Sequence, residues 1–261
     1  MIQHKRSTAL ELGKYLAVLL LLAGLAVRGA DQLGYNWQWF RVPRYLFRFE
    51  DGHFTAGLLL QGLLVTFQIT CVSLVLAVLF GLTAALLRLS HSIVARALAR
   101  CYLEVIRNTP LLIQLLFVYF VLSPIFDISR FASAVLALSL FEGAYVSEIF
   151  RAGIVSIHQG QRDAAFSLGL SPYDTYRHVI LPQAIRRILP PLTGQAVSLI
   201  KDSALVSVIA IYDLTMQGQA IVAETFLTFE IWFAVAAIYL CLNLTLSLLV
   251  HAMEGRLTLE T

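Results

Sequence analysis

The stretch QGQRDAAFSLGLSPYDTYRHVILPQAIRRILPP, residues 159–191, is polar and punctuated by turn formers, yet it lies between apolar runs in a chain that is 59% hydrophobic. Its first part, Gln161 to Leu168, permits a short helix with Ala164, Ala165 and Leu168 on one side, at i, i+3 and i+4 spacing. Gly169 suits the position after a helix end, where a left-handed backbone costs a glycine no Cβ strain. Ser171, Pro172 and Asp174 then read as N-cap, first helical residue and a capping-box acid. The pattern predicts helix, tight turn, helix. The second helix aligns Tyr176, Ile180, Ala184 and Ile188, with Arg177, Gln183, Arg186 and Arg187 largely off that stripe. Pro182 is expected to kink or stop it, since proline lacks an N–H and crowds the preceding turn.

The flanks decide the solvent. The chain has 261 residues, 13% of them charged, and a mean hydropathy of +0.78, far more apolar than a soluble domain. Uncharged runs such as Phe54 to Leu87 and Ile231 to Val250 reach the ~20 residues that a membrane-crossing helix needs. Backbone groups in lipid must be paired within each segment, and barrel-type alternation is missing, so the expected fold is an all-α integral membrane protein.

About six transmembrane helices are expected: Tyr15 to Val27, Gly57 to Leu87, Pro110 to Phe126, Phe131 to Ile154, Leu192 to Ile211 and Phe229 to Val250. The first follows Lys5 and Arg6. Arg28 at the minus-three position of the following small-residue site suits signal cleavage poorly, so a retained helix is expected. Residues 28–56, with arginines among aromatics, read as a segment at the headgroups. With the N-terminus inside, the loops 88–107 and 151–187 bring four and five arginines to the cytoplasm, as the positive-inside bias requires. Segments 28–56, 127–130 and 212–230 then lie outside.

Ionisable groups inside spans are costly and are functional candidates. Glu142, Lys201 and Asp202 are such groups, with Gln68 and Gln114 as further candidates for a substrate path. Glu142 has no opposite charge at i±3 or i±4; it is the sharpest candidate for a substrate's ammonium, although protonation or a partner on another helix would also satisfy it. Glu148 and Arg151, three apart, read as a structural ion pair. Lys201 and Asp202 can equally pair between helices, and Gln61, Thr66, Gln68 and Thr70 can equally hydrogen-bond between them. Asn108 reads as the cap of the helix that Pro110 starts. Cys71, Cys101 and Cys241 are scattered and suggest packed thiols.

Residues 163–182, DAAFSLGLSPYDTYRHVILP, resemble the EAA loop of ABC-importer permeases, an acid-Ala-Ala triplet, three residues, Gly, nine residues, then Ile-x-Leu-Pro, with Val179 in place of the Ile. The resemblance runs from about Gly57 to Glu254 through TFQIT, IRNTPLLIQL, GAYVSEIFRAGI and SLIKDSALVSVIA, and is similar to the polar amino-acid branch. It implies a five-helix permease core over 57–254 with a coupling loop at 157–189, an added N-terminal helix and linker over 1–56, and a cytoplasmic tail at 255–261. It further implies that Asp163, Ala164, Ala165, Gly169, Leu181 and Pro182 couple the chain to a cytoplasmic ATPase dimer. Asp163 stands where the family has Glu, one methylene shorter. The implied partners include a second permease copy or a homologue, a periplasmic or lipid-anchored solute-binding protein and a polar amino acid, in a bacterial inner membrane.

No GxxxxGK[ST] phosphate loop, HExxH or GxSxG pattern occurs in the chain, so no enzyme and no bound cofactor are expected here; ATP and magnesium would sit in the partner ATPase. Membrane anchorage on both flanks argues against a DNA-reading use of the helix-turn-helix, and no nucleic-acid partner is expected. Two other classes stay open: a self-sufficient secondary transporter or channel using Glu142, Lys201 and Asp202, and a non-transporting membrane assembly subunit.

Overall fold

A computed structural model describes residues 13–22, 24–25, 28–29, 34–50 and 52–258. It divides into an N-terminal unit, Met1–Phe40, and a main unit, Arg41–Thr261. In the first, α1 is Gly13–Leu22, an apolar helix of ten residues. Residues 23, 26 and 27 of the expected first span lie outside the described residues. Trp37 and Trp39 stack with ring centroids 5.9 Å apart.

The main unit opens with a helical turn, Pro43–Leu46, and an antiparallel hairpin, β1 (Phe47–Glu50) and β2 (His53–Ala56), with Glu50 opposite His53. Asp51-Gly52 between matched strands is a strong hairpin signal, and Gly52 has a φ of 75°. The helical turn and hairpin of residues 43–56 were not part of the sequence reading. The remaining elements are α2 (Leu58–Leu89), α3 (Ile93–Arg107), α4 (Leu111–Phe126), α5 (Arg130–Val155), α6 (Gln159–Ser167), α7 (Pro172–Ile209), α8 (Leu214–Thr225) and α9 (Thr228–Thr258).

Among the described residues, α2, α5, α7 and α9 are each long and apolar enough to cross a membrane; α3 and α4, bent by 104°, make a fifth span if taken together. The expected five-helix core is present. Three boundaries differ from the sequence reading. The basic loop 88–107 contains α3, whose N-terminus Ser92 caps by accepting the Ala95 N–H at 3.3 Å. Asn108 ends α3, donating its side-chain amide to the Glu104 carbonyl at 2.7 Å, and Pro110 is the N-cap of α4. Segment 212–230 holds α8, capped by Asp213, which accepts the Met216 N–H at 2.8 Å.

The largest departure is in α7. Pro182 neither stops nor breaks it, because Tyr176–Ile180 form a π turn in which the Leu181 N–H bonds the Tyr176 carbonyl five residues back. The wider turn shifts the hydrogen-bond frame just where proline cannot donate. Pro190 and Pro191 are also carried inside this helix. The fifth expected span, read from Leu192, therefore begins some twenty residues earlier, at Pro172.

Packing is centred on α5, the most enclosed span, whereas α9 is largely uncovered. Ile69 of α2, Leu115 of α4, Leu138 of α5 and Leu199 of α7 fill one core; Leu59, Leu214, Ile221 and Ile231 fill a second under α8; Ile157, Ile180, Ala184 and Ile188 fill a third beneath α6. In lipid such contacts act through close van der Waals fit, which favours small residues at crossings. Gly153 is one: a Cβ there would lie 2.3 Å from Ile188 Cγ1, so α5 and α7 meet only because the side chain is absent.

Candidate functional site

The predicted helix pair forms as the local signals require. α6 closes in a Schellman motif: Gly169, at φ 79°, donates to the Phe166 carbonyl at 2.9 Å, and Leu170 donates to that of Ala165 at 3.2 Å. Two residues later Ser171 accepts the Asp174 N–H at 3.1 Å and donates its hydroxyl to the Asp174 carboxylate at 2.6 Å. The pair is tied to the bundle by Arg187, which donates to the Ser156 carbonyl at 2.6 Å. Ile180, Ala184 and Ile188 of the predicted stripe are buried, while Tyr176 is exposed under the Arg162 guanidinium, 5.4 Å from its ring centroid.

Of the six coupling candidates, Asp163, Ala164, Gly169, Leu181 and Pro182 are exposed and Ala165 is buried, 3% accessible, against the chain itself. The two alanines thus face different partners, and only Ala164 is open to an approaching surface. Asp163 accepts a bond from Gln159 at 3.3 Å. Phe166, Leu168 and Tyr173 are 49%, 82% and 67% exposed on this otherwise polar element. The sequence reading placed Leu168 with the alanines on one side of α6 and gave Phe166 and Tyr173 no role, although apolar side chains at a polar loop tip are a recognisable sign of a docking surface.

Within the bundle, Glu142 of α5 is 1% exposed. Gln195 of α7 donates its amide to Glu142 Oε2, and Asp202 of α7 is near enough to interact with the same carboxyl. Glu142 Oε1 is a buried acceptor with no hydrogen bond among the described residues. Gln195 also lines a cavity of about 560 Å3 between α5 and α7, together with Arg107, Tyr145 and Glu148. The Arg107 guanidinium lies over the Tyr145 ring, 5.6 Å from its centroid. Glu142 itself does not line this cavity; Gln195 is the residue that touches both the cavity and the buried acid.

The other candidates separate. Glu148 and Arg151 pair as expected, with Arg151 Nε donating at 3.1 Å, and Arg88 from α2 joins as a second cation. Gln114 is a brace: its amide donates to the Ile106 carbonyl at 2.7 Å and to the Thr109 hydroxyl at 2.7 Å, holding the α3–α4 corner. Gln68 is exposed on a stripe with Leu64 and Val72, and Lys201 is exposed with no side-chain hydrogen bond or ion pair among the described residues. Neither is brought to Glu142. Gln195 was missed because a lone amide in an apolar run carries no charge signal; its place two turns before Asp202, on the same helix face, is what could have found it.

A family model, the inner membrane component of binding-protein-dependent transport systems, matches residues 77–259. The chain is 42% identical over 203 residues to the glutamine transport system permease protein of Escherichia coli K12, a match over 77% of this chain and 93% of that one. It is 40% identical over 199 residues to the L-cystine transport system permease protein of Bacillus subtilis, 75% of this chain and 85% of that one. Among solved structures, an amino-acid ABC transporter crystallised with histidines superposes with a TM-score of 0.72 at 41% identity, covering 76% of this chain and 94% of its counterpart.

Proposed function

The chain belongs to the family of inner membrane components of binding-protein-dependent transport systems, and from that premise we propose how this amino-acid ABC-importer permease works. A separate cytoplasmic ATPase dimer drives it, an external solute-binding protein loads it, and two permease chains, alike or homologous, enclose the path. ATP and magnesium belong to the ATPase subunits. The end of the bundle that carries α6 faces the cytoplasm.

One observation carries this reading: α7 is continuous from Pro172, beside the exposed turn, through Gln195 and Asp202, beside Glu142. At 1.5 Å per residue, a displacement at the docking end reaches the intramembrane acid along roughly 45 Å of helix. Closure of the ATPase dimer pushes α6 and the turn, α7 tilts against α5 at the Gly153–Ile188 contact, and Gln195 shifts relative to Glu142. Access to the cavity alternates because ATP-bound ATPase binds one arrangement of the bundle better than the other.

The substrate is a polar amino acid. Its ammonium is satisfied by Glu142, whose free Oε1 is the orphaned acceptor, and its carboxylate by Arg107. Phe166, Leu168 and Tyr173 dock in the ATPase, with Asp163 against a basic group there. Replacing Leu168 by Glu tests the docking: the fold keeps its contacts at this exposed position, co-purification with the ATPase falls at least about tenfold, and uptake falls with it. Undiminished association would refute the assignment of this surface.

A further inference from the structure

Helix α3 has three sides of different chemistry. Ala99 and Leu103 are buried, and Tyr102 donates its hydroxyl to the Leu140 carbonyl of α5 at 2.6 Å, so one side is pinned to the bundle. Val94, Leu98 and Val105, 69%, 63% and 56% exposed, form a second side; on a chain that crosses a membrane, such a stripe meets acyl chains. Arg96, Arg100 and Arg107 fall on the third side with Glu104.

Facing that third side are Arg88 at the end of α2 and Arg151 of α5. The five arginines, with Glu104, line one cavity of about 350 Å3. The carboxylates nearby are Glu104, which takes a bond from Asn108 at 3.0 Å, and Glu148, already shared by Arg88 and Arg151. Five cations against two anions leave an excess of three. Among the described residues, no side-chain hydrogen bond or ion pair engages Arg96 or Arg100. Arginines that only orient a membrane protein need to lie on one side, not to converge, and like charges one turn apart repel. Convergence in a cavity is stable when an anion occupies it.

We propose that this cavity binds the phosphate of an anionic phospholipid, with the acyl chains along Val94, Leu98 and Val105. Guanidinium forks match phosphate oxygens, and basic recesses between membrane helices hold such headgroups. A free phosphate or nucleotide would use the arginines and leave the apolar stripe idle, so the lipid is the better fit. Bound there, it bridges α2, α3 and α5 beside Arg107, on the side that carries α6. The lipid site shares Arg107 with the transport reading above, but Arg88, Arg96, Arg100 and Arg151 carry it without that reading.

The test uses the permease–ATPase complex in nanodiscs of equimolar phosphatidylglycerol and phosphatidylcholine, extracted into detergent, with retained lipid quantified by mass spectrometry. The wild-type complex keeps phosphatidylglycerol in preference to phosphatidylcholine. An Arg96→Gln/Arg100→Gln variant binds it on the order of tenfold more weakly, while Arg96→Lys/Arg100→Lys, which keeps the charge, retains most of it. Leu98→Gln, with all arginines intact, also loses lipid. Equal retention by wild type and the Gln/Gln variant overturns the site. Displacement of the lipid by millimolar inorganic phosphate, or full retention in Leu98→Gln, overturns the lipid as occupant in favour of a soluble anion. If the Gln/Gln variant fails to assemble with the ATPase, the Leu98→Gln variant and the phosphate competition still decide.

Discussion

Glu142 is a carboxyl in the middle of a membrane helix, 1% exposed, with one oxygen held by Gln195 and the other unbonded among the described residues. Such a group costs a few kcal/mol in a span, and its neighbours are the Gln195 amide and a second acid, Asp202. Replacing Glu142 by Gln keeps the size and removes the acid; uptake by the reconstituted complex is expected to fall at least about tenfold while assembly is kept. Lys201→Met, at an exposed position outside this cluster, should change uptake by less than about twofold; a loss as large as that of Glu142→Gln would show that the cluster was drawn wrongly. Glu148 differs in kind: it is shared by two arginines, and all three are a quarter to a third exposed. Glu148→Gln is expected to cost about 1–2 kcal/mol, less than for a fully buried pair, and to appear as a lowered thermal midpoint. The i, i+3 pairing was legible in the sequence because its partners are local. Arg88 and Gln195 were not, since each joins from another helix and no local spacing announces them.

At the scale of elements, local signals fared best where the chain turns. Gly169, Ser171, Pro172 and Asp174 form the turn that their order predicts, because caps depend on a few neighbouring backbone groups. Gly169→Ala places a Cβ in a left-handed conformation at a cost of about 1 kcal/mol. Its main effect is expected in coupling, measured as ATP hydrolysis that no longer rises with loaded binding protein. Helix ends in the membrane were less legible. Arg96, Arg100 and Arg107 hid α3 by breaking its apolar pattern, whose three-sided character emerges only once its neighbours are placed. Pro182 misled for the opposite reason: its local penalty is real, but the π turn at Tyr176–Ile180 absorbs it. Gly153→Val would force apart α5 and α7, where even a Cβ meets Ile188; the complex is expected to assemble with the ATPase yet transport at most about a tenth as fast, as a uptake assay would read.

For the whole molecule, composition set the solvent and hydropathy located α2, α5 and α9, whereas the continuity of α7 from Pro172 to Ile209 emerges only from the structure. The chain carries no phosphate loop, and α7 runs from the exposed, partly apolar surface proposed to dock the ATPase to the intramembrane acid. Asp163→Glu, which restores the longer acid of the family pattern, tests the fit of that docking surface: ATPase association is expected to change by less than about threefold if the contact is mainly apolar, through Phe166, Leu168 and Tyr173. The most direct test of the central claim is amino-acid uptake into proteoliposomes holding the permease with and without its ATPase subunit, with loaded binding protein outside and ATP inside. Uptake should require both the ATPase and ATP; equal uptake by the permease alone would contradict the account.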